Sequence, residues 1–249
     1  MGGRRDFFHF QQFSIDQSHA AMKVGTDSDL LGALAAGGKR ILDIGTGTGV
    51  LALFMAQRYS DAHITAIDID EGAIIDATTN FSNSSFSARL TLHHVSLQDF
   101  VCSSSPMGGG QEGAFDSIIC NPPYFDKSLE CPDRSRAIAR HTSSLPFPLL
   151  IDSAYRLLCN GGMFSVIIPT EVLSTFSAES LMVGFSLRDA FHISSVPHKA
   201  PNRHVLIYKK GRAEEVHDHT CCIRNADLSY SSWYKKITGD FLKPPVKIS

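Results

Sequence analysis

Short apolar runs alternate along the chain with segments whose apolar positions recur every three or four residues. The runs at 40–44, 63–68, 89–95, 115–120 and 163–168 are bounded by turn residues, which predicts strands, the most continuously apolar of them buried on both faces. The intervening patterns predict helices over 50–56, 71–81, 149–158 and 171–185. Asn160-Gly161-Gly162 closes the third of these helices, and Pro169 stops the fifth strand. Two more strands, 189–196 and 204–208, are joined by a connection too short for a crossover helix, so they pair as an antiparallel hairpin. Five β/α alternations and a hairpin describe an α/β fold whose seven-stranded, mostly parallel sheet has one strand reversed.

The ends are less regular. Residues 4–20 mix Arg, Gln and His with four Phe without a clean period, as a lid, a partner arm or a cleft cover would. Over 21–34 a short helix is predicted, with Thr26 or Asp27 as its N-cap. Lys23, Gly25 and that helix start, with Thr26 and Asp27, form a candidate receptor for a carboxylate; an ordinary capped helix is the alternative. Past Gly211 the chain is polar, with Trp233 and Tyr234 beside Lys235 and Lys236, and reads as a partly helical, modestly packed tail. One domain is therefore expected, with a lid and helix over 1–35, a core over 36–211 and an extension over 212–249.

Composition narrows the class. A hydrophobic content of 43% supplies a substantial core, and no run of 18 apolar residues or signal-type leader appears, which predicts a cytoplasmic protein without a membrane segment. The six cysteines include no C-x-x-C pair, and His217 and His219 near Cys221 and Cys222 match no standard spacing, so neither a disulfide framework nor a metal site is predicted. Net charge is -2, which argues against a strong general affinity for nucleic acid. Its distribution is uneven: residues 196–249 carry ten Lys or Arg against five Asp or Glu, or +5, while residues 1–195 carry thirteen against twenty, or -7. A phosphate-bearing partner or a solvated face accounts for such asymmetry.

The chemistry concentrates at the predicted strand ends. After the first core strand, Gly45, Gly47 and Gly49 alternate in a turn that runs into an apolar helix, so backbone can approach a ligand closely. The spacing is G-x-G-x-G, not the G-x-G-x-x-G that seats a pyrophosphate on a helix N-terminus, and Asp43 before it disfavours a phosphate and favours a cationic amino group. Asp68 closes the next strand, where a carboxylate accepts hydrogen bonds from ribose hydroxyls; Ile69 follows it, and Asp70 is the expected cap of the next helix. After the third strand Asp99 is the candidate contact to an adenine amino group. The fourth strand ends in Asn121-Pro122-Pro123-Tyr124, a corner whose amide and carbonyl lack sheet partners and can grip a planar amino group. The loop beyond it brings Arg136 and Arg140, suited to holding a phosphate or to pairing with the loop's own acids.

Taken together these residues resemble the class I S-adenosylmethionine-dependent methyltransferases, with the Rossmann-like fold that implies. DIGTGTG at 43–49 is similar to their first motif and Asp68 to their ribose acid. Over nearly the full length the chain is similar to the bacterial tRNA(Val) adenine-N6 methyltransferase family, through FHFQQF at 8–13, AMKVGTDSDLLGA at 21–33, IICNPPYF at 118–125, the loop at 130–140 and RHVLIYKKG at 203–211. The resemblance implies S-adenosyl-L-methionine as cofactor and tRNA as partner. It also implies transfer at Asn121, Pro122 and Tyr124, with Pro123, Phe125, Arg136 and Arg140 on the substrate. The family usually has an acid where Ser96 stands, which leaves the adenine contact to Asp99 or Ser96. Rival readings are a protein glutamine methyltransferase, whose substrate needs no basic surface, and a non-catalytic cofactor-binding module. DNA adenine methyltransferases generally carry a separate base-recognition domain, for which this chain has no room.

Overall fold

The computed structural model describes residues 7–104, 115–123, 145–213 and 215–243. A small antiparallel hairpin, β1 (Phe7–His9) and β2 (Ser14–Asp16), precedes helix α1 (Thr26–Leu34). Then come β3 (Arg40–Ile44), α2 (Val50–Arg58), β4 (His63–Asp68), α3 (Glu71–Ser82), β5 (Leu90–His94), α4 (Leu97–Ser104) and β6 (Phe115–Cys120). The second half holds α5 (Phe147–Leu157), β7 (Leu158–Pro169), α6 (Thr170–Val183), β8 (Phe185–Ser194), β9 (Arg203–Lys210), β10 (His217–Cys222) and α7 (Ser232–Thr238). The main sheet runs β10-β8-β9-β7-β6-β3-β4-β5, and within it only β9 is antiparallel to its neighbours.

The α/β alternation and the reversed hairpin strand are as the apolar pattern predicts; among the described residues the main sheet has eight strands, not seven. The additional strand is β10, which pairs in parallel with β8 from His217↔Asp189 to Cys222↔Ser194 in a stretch that reads as polar tail. An edge strand can be polar because water satisfies its open side. Here His219 stacks on Phe191 with ring centroids 4.6 Å apart, and the His217 ring sits 3.1 Å from the Asp189 carboxylate. β7 is also longer than predicted. It starts at Leu158, and the Asn160-Gly161-Gly162 stretch is absorbed as an irregularity in the ladder, with Gly161 at φ +77.

Alternate strand residues feed two apolar layers, one on each face of the sheet. Ile41, Ile119, Ile167 and Val205 pack under α1 and α2, while Leu42, Ile118, Val166 and Leu206 pack under α4, α5 and α6. Residues near both ends of the described chain enter the first layer: Phe10, Phe13 and Ile15 from one side and Tyr234 and Phe241 from the other, while most of the described C-terminal extension is exposed. Phe54 of α2 is fully buried and meets the rings of Phe10, Phe13 and Phe241 at 4.9, 5.7 and 4.5 Å. Truncating such a ring to Ala costs about 3–5 kcal/mol, so this contact ties the β1–β2 hairpin and the segment after α7 to the core. The α1 start also differs from expectation: its N-cap is Gly25, and the Asp27 carboxylate instead accepts from Arg203 Nε at 3.0 Å. No described helix is long and apolar enough to cross a membrane, and no described cluster of three or more His, Cys, Asp or Glu is arranged to hold a metal.

Candidate active site

β3 has β4 on one side and β6 on the other, so the chain's crossovers diverge at the carboxyl ends of β3 and β6, where doubly wound sheets open a crevice. Ile44 pairs with Cys120, which sets the glycine turn beside Asn121 just past the sheet edge. The turn is pinned from the next strand. Gly45 N and Thr46 N both donate to the Ile67 carbonyl at 3.0 Å, and Gly47 N donates to Asp68 Oδ2 at 2.8 Å. Asp68 Oδ1 accepts from Asp70 N at 2.9 Å, and Asp70 caps α3 by accepting from Ala73 N at 2.7 Å, as its position predicts.

Gly45 and Gly47 have φ of +69 and +57, and a Cβ at either would meet no atom within 4 Å. Their bare backbone faces open space, as a close ligand approach requires. Gly49 does other work: at φ +80 it caps α2, and a Cβ there would lie 2.4 Å from the Phe81 ring. It is a packing position and lies off the cavity.

That cavity, of about 360 Å³, sits over the crevice. Of the predicted site residues, Lys23, Gly45, Gly47, Asp68, Ile69, Asn121 and Pro123 line it; Thr26, Asp27, Asp43, Gly49, Asp99 and Pro122 do not. Asp43 is completely buried beneath the turn, where its Oδ2 accepts from Thr46 Oγ1 at 2.6 Å and Ala52 N at 3.2 Å. Burial pushes its pKa up to about 7; the Thr46 hydrogen bond opposes this and the Asp68 charge adds to it. Asp43 therefore braces the turn from below and is not among the residues lining the cavity. Asp99 lies on the first turn of α4, where its carboxylate accepts from Ser96 Oγ at 2.6 Å while Ser96 Oγ accepts from Asp99 N at 3.1 Å. The cavity wall there is Ser96, Leu97 and Gln98, so Ser96 is the better placed of the two adenine candidates.

Asn121 is half-buried, Pro122 buried and Pro123 exposed. Cys120 forms part of the floor, and burial pushes its thiol well above its ordinary range, with Asp43 and Asp68 adding to the shift, so it stays neutral and is no nucleophile. Lys23 Nζ donates to the Gln17 carbonyl, which holds the lysine along the wall. Tyr124, Phe125, Arg136 and Arg140 lie outside the described residues. Residues 20–24 wall the cavity as one continuous stretch, of which the sequence marks Lys23 for the site; Met22 and Ile69, 50% and 58% exposed, also line it.

Residues 17–176, more than half of the chain, match the family described as methyltransferase small domain. A protein of Phocaeicola vulgatus is 43% identical over 237 residues, covering 94% of this chain and 97% of its own length. One from Shewanella woodyi is 38% identical over 244 residues, covering 95% and 99%, and one from Citrobacter koseri 36% over 241 residues, covering 96% and 95%. All three are named tRNA1(Val) (adenine(37)-N6)-methyltransferase. The chain belongs to that family.

The fold of this tRNA1(Val) (adenine(37)-N6)-methyltransferase family member is also that of solved methyltransferases. A protein of Agrobacterium tumefaciens described as a predicted O-methyltransferase superposes with a TM-score of 0.66 at 17% identity, covering 86% of this chain and 96% of the other. A methyltransferase of Pyrococcus furiosus gives 0.51 at 23%, covering 80% and 90%. The residues present fit S-adenosyl-L-methionine, the cofactor that fold and family bring. A bare glycine cradle, a carboxylate at the end of β4 and an unoccluded cavity of this size suit a nucleoside, and the absence of a G-x-G-x-x-G phosphate turn suits one without phosphates.

Proposed function

We propose that the chain transfers the methyl group of S-adenosyl-L-methionine to the exocyclic N6 of an adenine in tRNA, the adenosine beside the anticodon of tRNA-Val, in the cytoplasm. The observation that carries this reading is the juxtaposition of Asn121 and Pro123 with the open glycine turn on one cavity. Gly45, Gly47, Asp68 and Ile69 hold the cofactor, which supplies an electrophilic sulfonium methyl group when bound, and Lys23 is the candidate for its carboxylate.

An adenine amine is a poor nucleophile because its lone pair is delocalised into the ring. Asn121 Oδ1 and the Pro122 carbonyl each accept one of its hydrogens, which pulls the nitrogen toward tetrahedral geometry and frees the lone pair. Two acceptors placed for a developing positive charge act as the inverse of an oxyanion hole, and no strong base is needed; the surplus proton passes to water. Proline at 122 removes a competing donor. Tyr124 or Phe125 stacks on the extruded base, and Arg136 and Arg140 hold phosphate.

Incubation with radiolabelled cofactor and, separately, bulk tRNA, total protein and DNA tests the reading. Label is expected in tRNA, as N6-methyladenosine. Label in protein alone would move the assignment to a glutamine side-chain amide, and no label anywhere would leave a binding module.

A further inference from the structure

The cavity wall at residues 20–24 belongs to a strap, 16–24, whose backbone is held largely by side chains of α3. Gly72, Asp76 and Asn80 recur every four residues and so share one face of that helix. Asp76, 1% exposed, accepts from His19 N at 3.0 Å and Ala20 N at 2.7 Å, both on Oδ2, while its Oδ1 lies 2.7 Å from the His19 ring nitrogen. Asn80, 2% exposed, uses its whole amide: Oδ1 accepts from Asp16 N at 2.7 Å, and Nδ2 donates to the carbonyls of Asp16 and Thr48, each at 2.8 Å. At Gly72 a Cβ would lie 2.8 Å from the His19 carbonyl oxygen, so only glycine lets the strap come this close. The far end folds back on itself, with Gln17 Oε1 accepting from Val24 N at 2.9 Å.

Thr48 lies in the glycine turn, so one buried amide joins the strap to the turn, and residues of both line one cavity. We propose that Asp76 and Asn80, neither of which lines the cavity, are positioning residues for cofactor binding that set the strap wall against the glycine turn before a ligand enters. The inference rests on reading the cavity as the S-adenosyl-L-methionine site. Removing either side chain leaves buried backbone groups without partners and lets the wall open, and a site that is competent only part of the time binds more weakly in proportion.

The test is calorimetric titration of S-adenosyl-L-methionine into the full chain without tRNA, with hydrogen exchange of the His19 and Ala20 amides as a ligand-free readout. Asp76→Ala and Asn80→Ala should weaken binding about tenfold or more. With saturating cofactor, kcat and the KM for tRNA should stay within about twofold, because nothing at the reacting atoms changes. Asp76→Ala should also speed exchange at His19 and Ala20. Conservative variants then discriminate. Asp76→Asn should bind nearly as the unaltered chain does, since one amide oxygen can accept both N–H groups. Asn80→Asp should fail like Asn80→Ala, since two carbonyls would face a carboxylate.

Gly72→Ala removes no polar group and favours the helix, so it keeps the fold, yet it should weaken binding by pushing the His19 carbonyl away. If the alanine variants fail to fold, the Asp76→Asn, Asn80→Asp and Gly72→Ala titrations decide. Unchanged affinity in Gly72→Ala and Asn80→Asp, or an Asp76→Asn variant no better than Asp76→Ala, would overturn the proposal. If the unaltered chain takes up no cofactor, the reading of the cavity fails first and the inference with it.

Discussion

The cavity has one wall made of strand ends and another made of the strap, and the two are held in place by different physics. At the strand ends each critical residue sits in a conformation its own type favours: glycines at positive φ, a proline-locked corner, and a carboxylate that accepts from the turn beside it. The strap has local turns of its own at Asp16 and Gln17, but what joins it to the rest of the fold lies far off in sequence. It is fixed by Asp76 and Asn80, some sixty residues further along the chain, and by a glycine on a neighbouring helix that does no more than leave room. A wall built of local conformational preference survives most distant substitutions, whereas a wall built of a few buried hydrogen bonds is lost with one of them.

The sharpest way to break the contrast is at the strand-end wall. Asn121→Ala should lower kcat about a hundredfold or more if an acceptor at this corner is worth what an oxyanion donor is worth. Calorimetry should find cofactor affinity unchanged, and a matching loss of affinity would place Asn121 among the cofactor ligands. Asp68→Ala comes next. It removes the acceptor for Gly47 N and Asp70 N together with the carboxylate facing the cavity, so cofactor Kd should rise about thirtyfold while kcat at saturation holds. An unchanged Kd would assign the ribose contact elsewhere and leave Asp68 as a turn brace.

The same contrast explains what the sequence discloses. The glycine turn, Asp68, the Asp70 cap and the Asn-Pro-Pro corner are short-range features, and each falls where the sequence puts it. Asp43 and Gly49 lie in the right motif, but they serve it from behind: burial turns one into a brace and the Phe81 ring makes the other a packing site. Ser96 caps α4 by accepting from Asp99 N, and the Asp99 carboxylate is engaged in turn by the Ser96 hydroxyl, a local pairing that S-x-x-D at a helix start signals. The strap's anchors did leave a trace. Positions 73, 76, 77, 80 and 81 form the buried stripe of α3, and polar residues at two of them must have partners. Which partners they take is set by tertiary contact, which no spacing reveals. β10 is illegible for the opposite reason, since a polar edge strand and a polar loop read alike.

The smallest expected effect concerns how the strap wall is mounted. α1, which follows the strap, carries Asp29, 8% exposed, whose Oδ2 accepts from Tyr234 of α7 at 3.2 Å, while among the described residues no donor reaches Oδ1. Burial raises the Asp29 pKa from 3.8 to about 6, against the opposing Tyr234 hydrogen bond. Near pH 3 both folded and unfolded chains hold this proton. Between about pH 4 and 6 the unfolded chain loses it first, so stability falls as pH rises through that window, and the loss is complete above it. Asp29→Asn keeps an acceptor for Tyr234 but cannot ionise. Relative to the unaltered chain it should gain about 1–2 kcal/mol on going from pH 4.5 to pH 7.5 in urea unfolding, with cofactor affinity unchanged. Parallel stability curves would mean that Asp29 is charged throughout, and the junction of α1 with α7 would then be held by an ionised hydrogen bond in place of a neutral carboxyl.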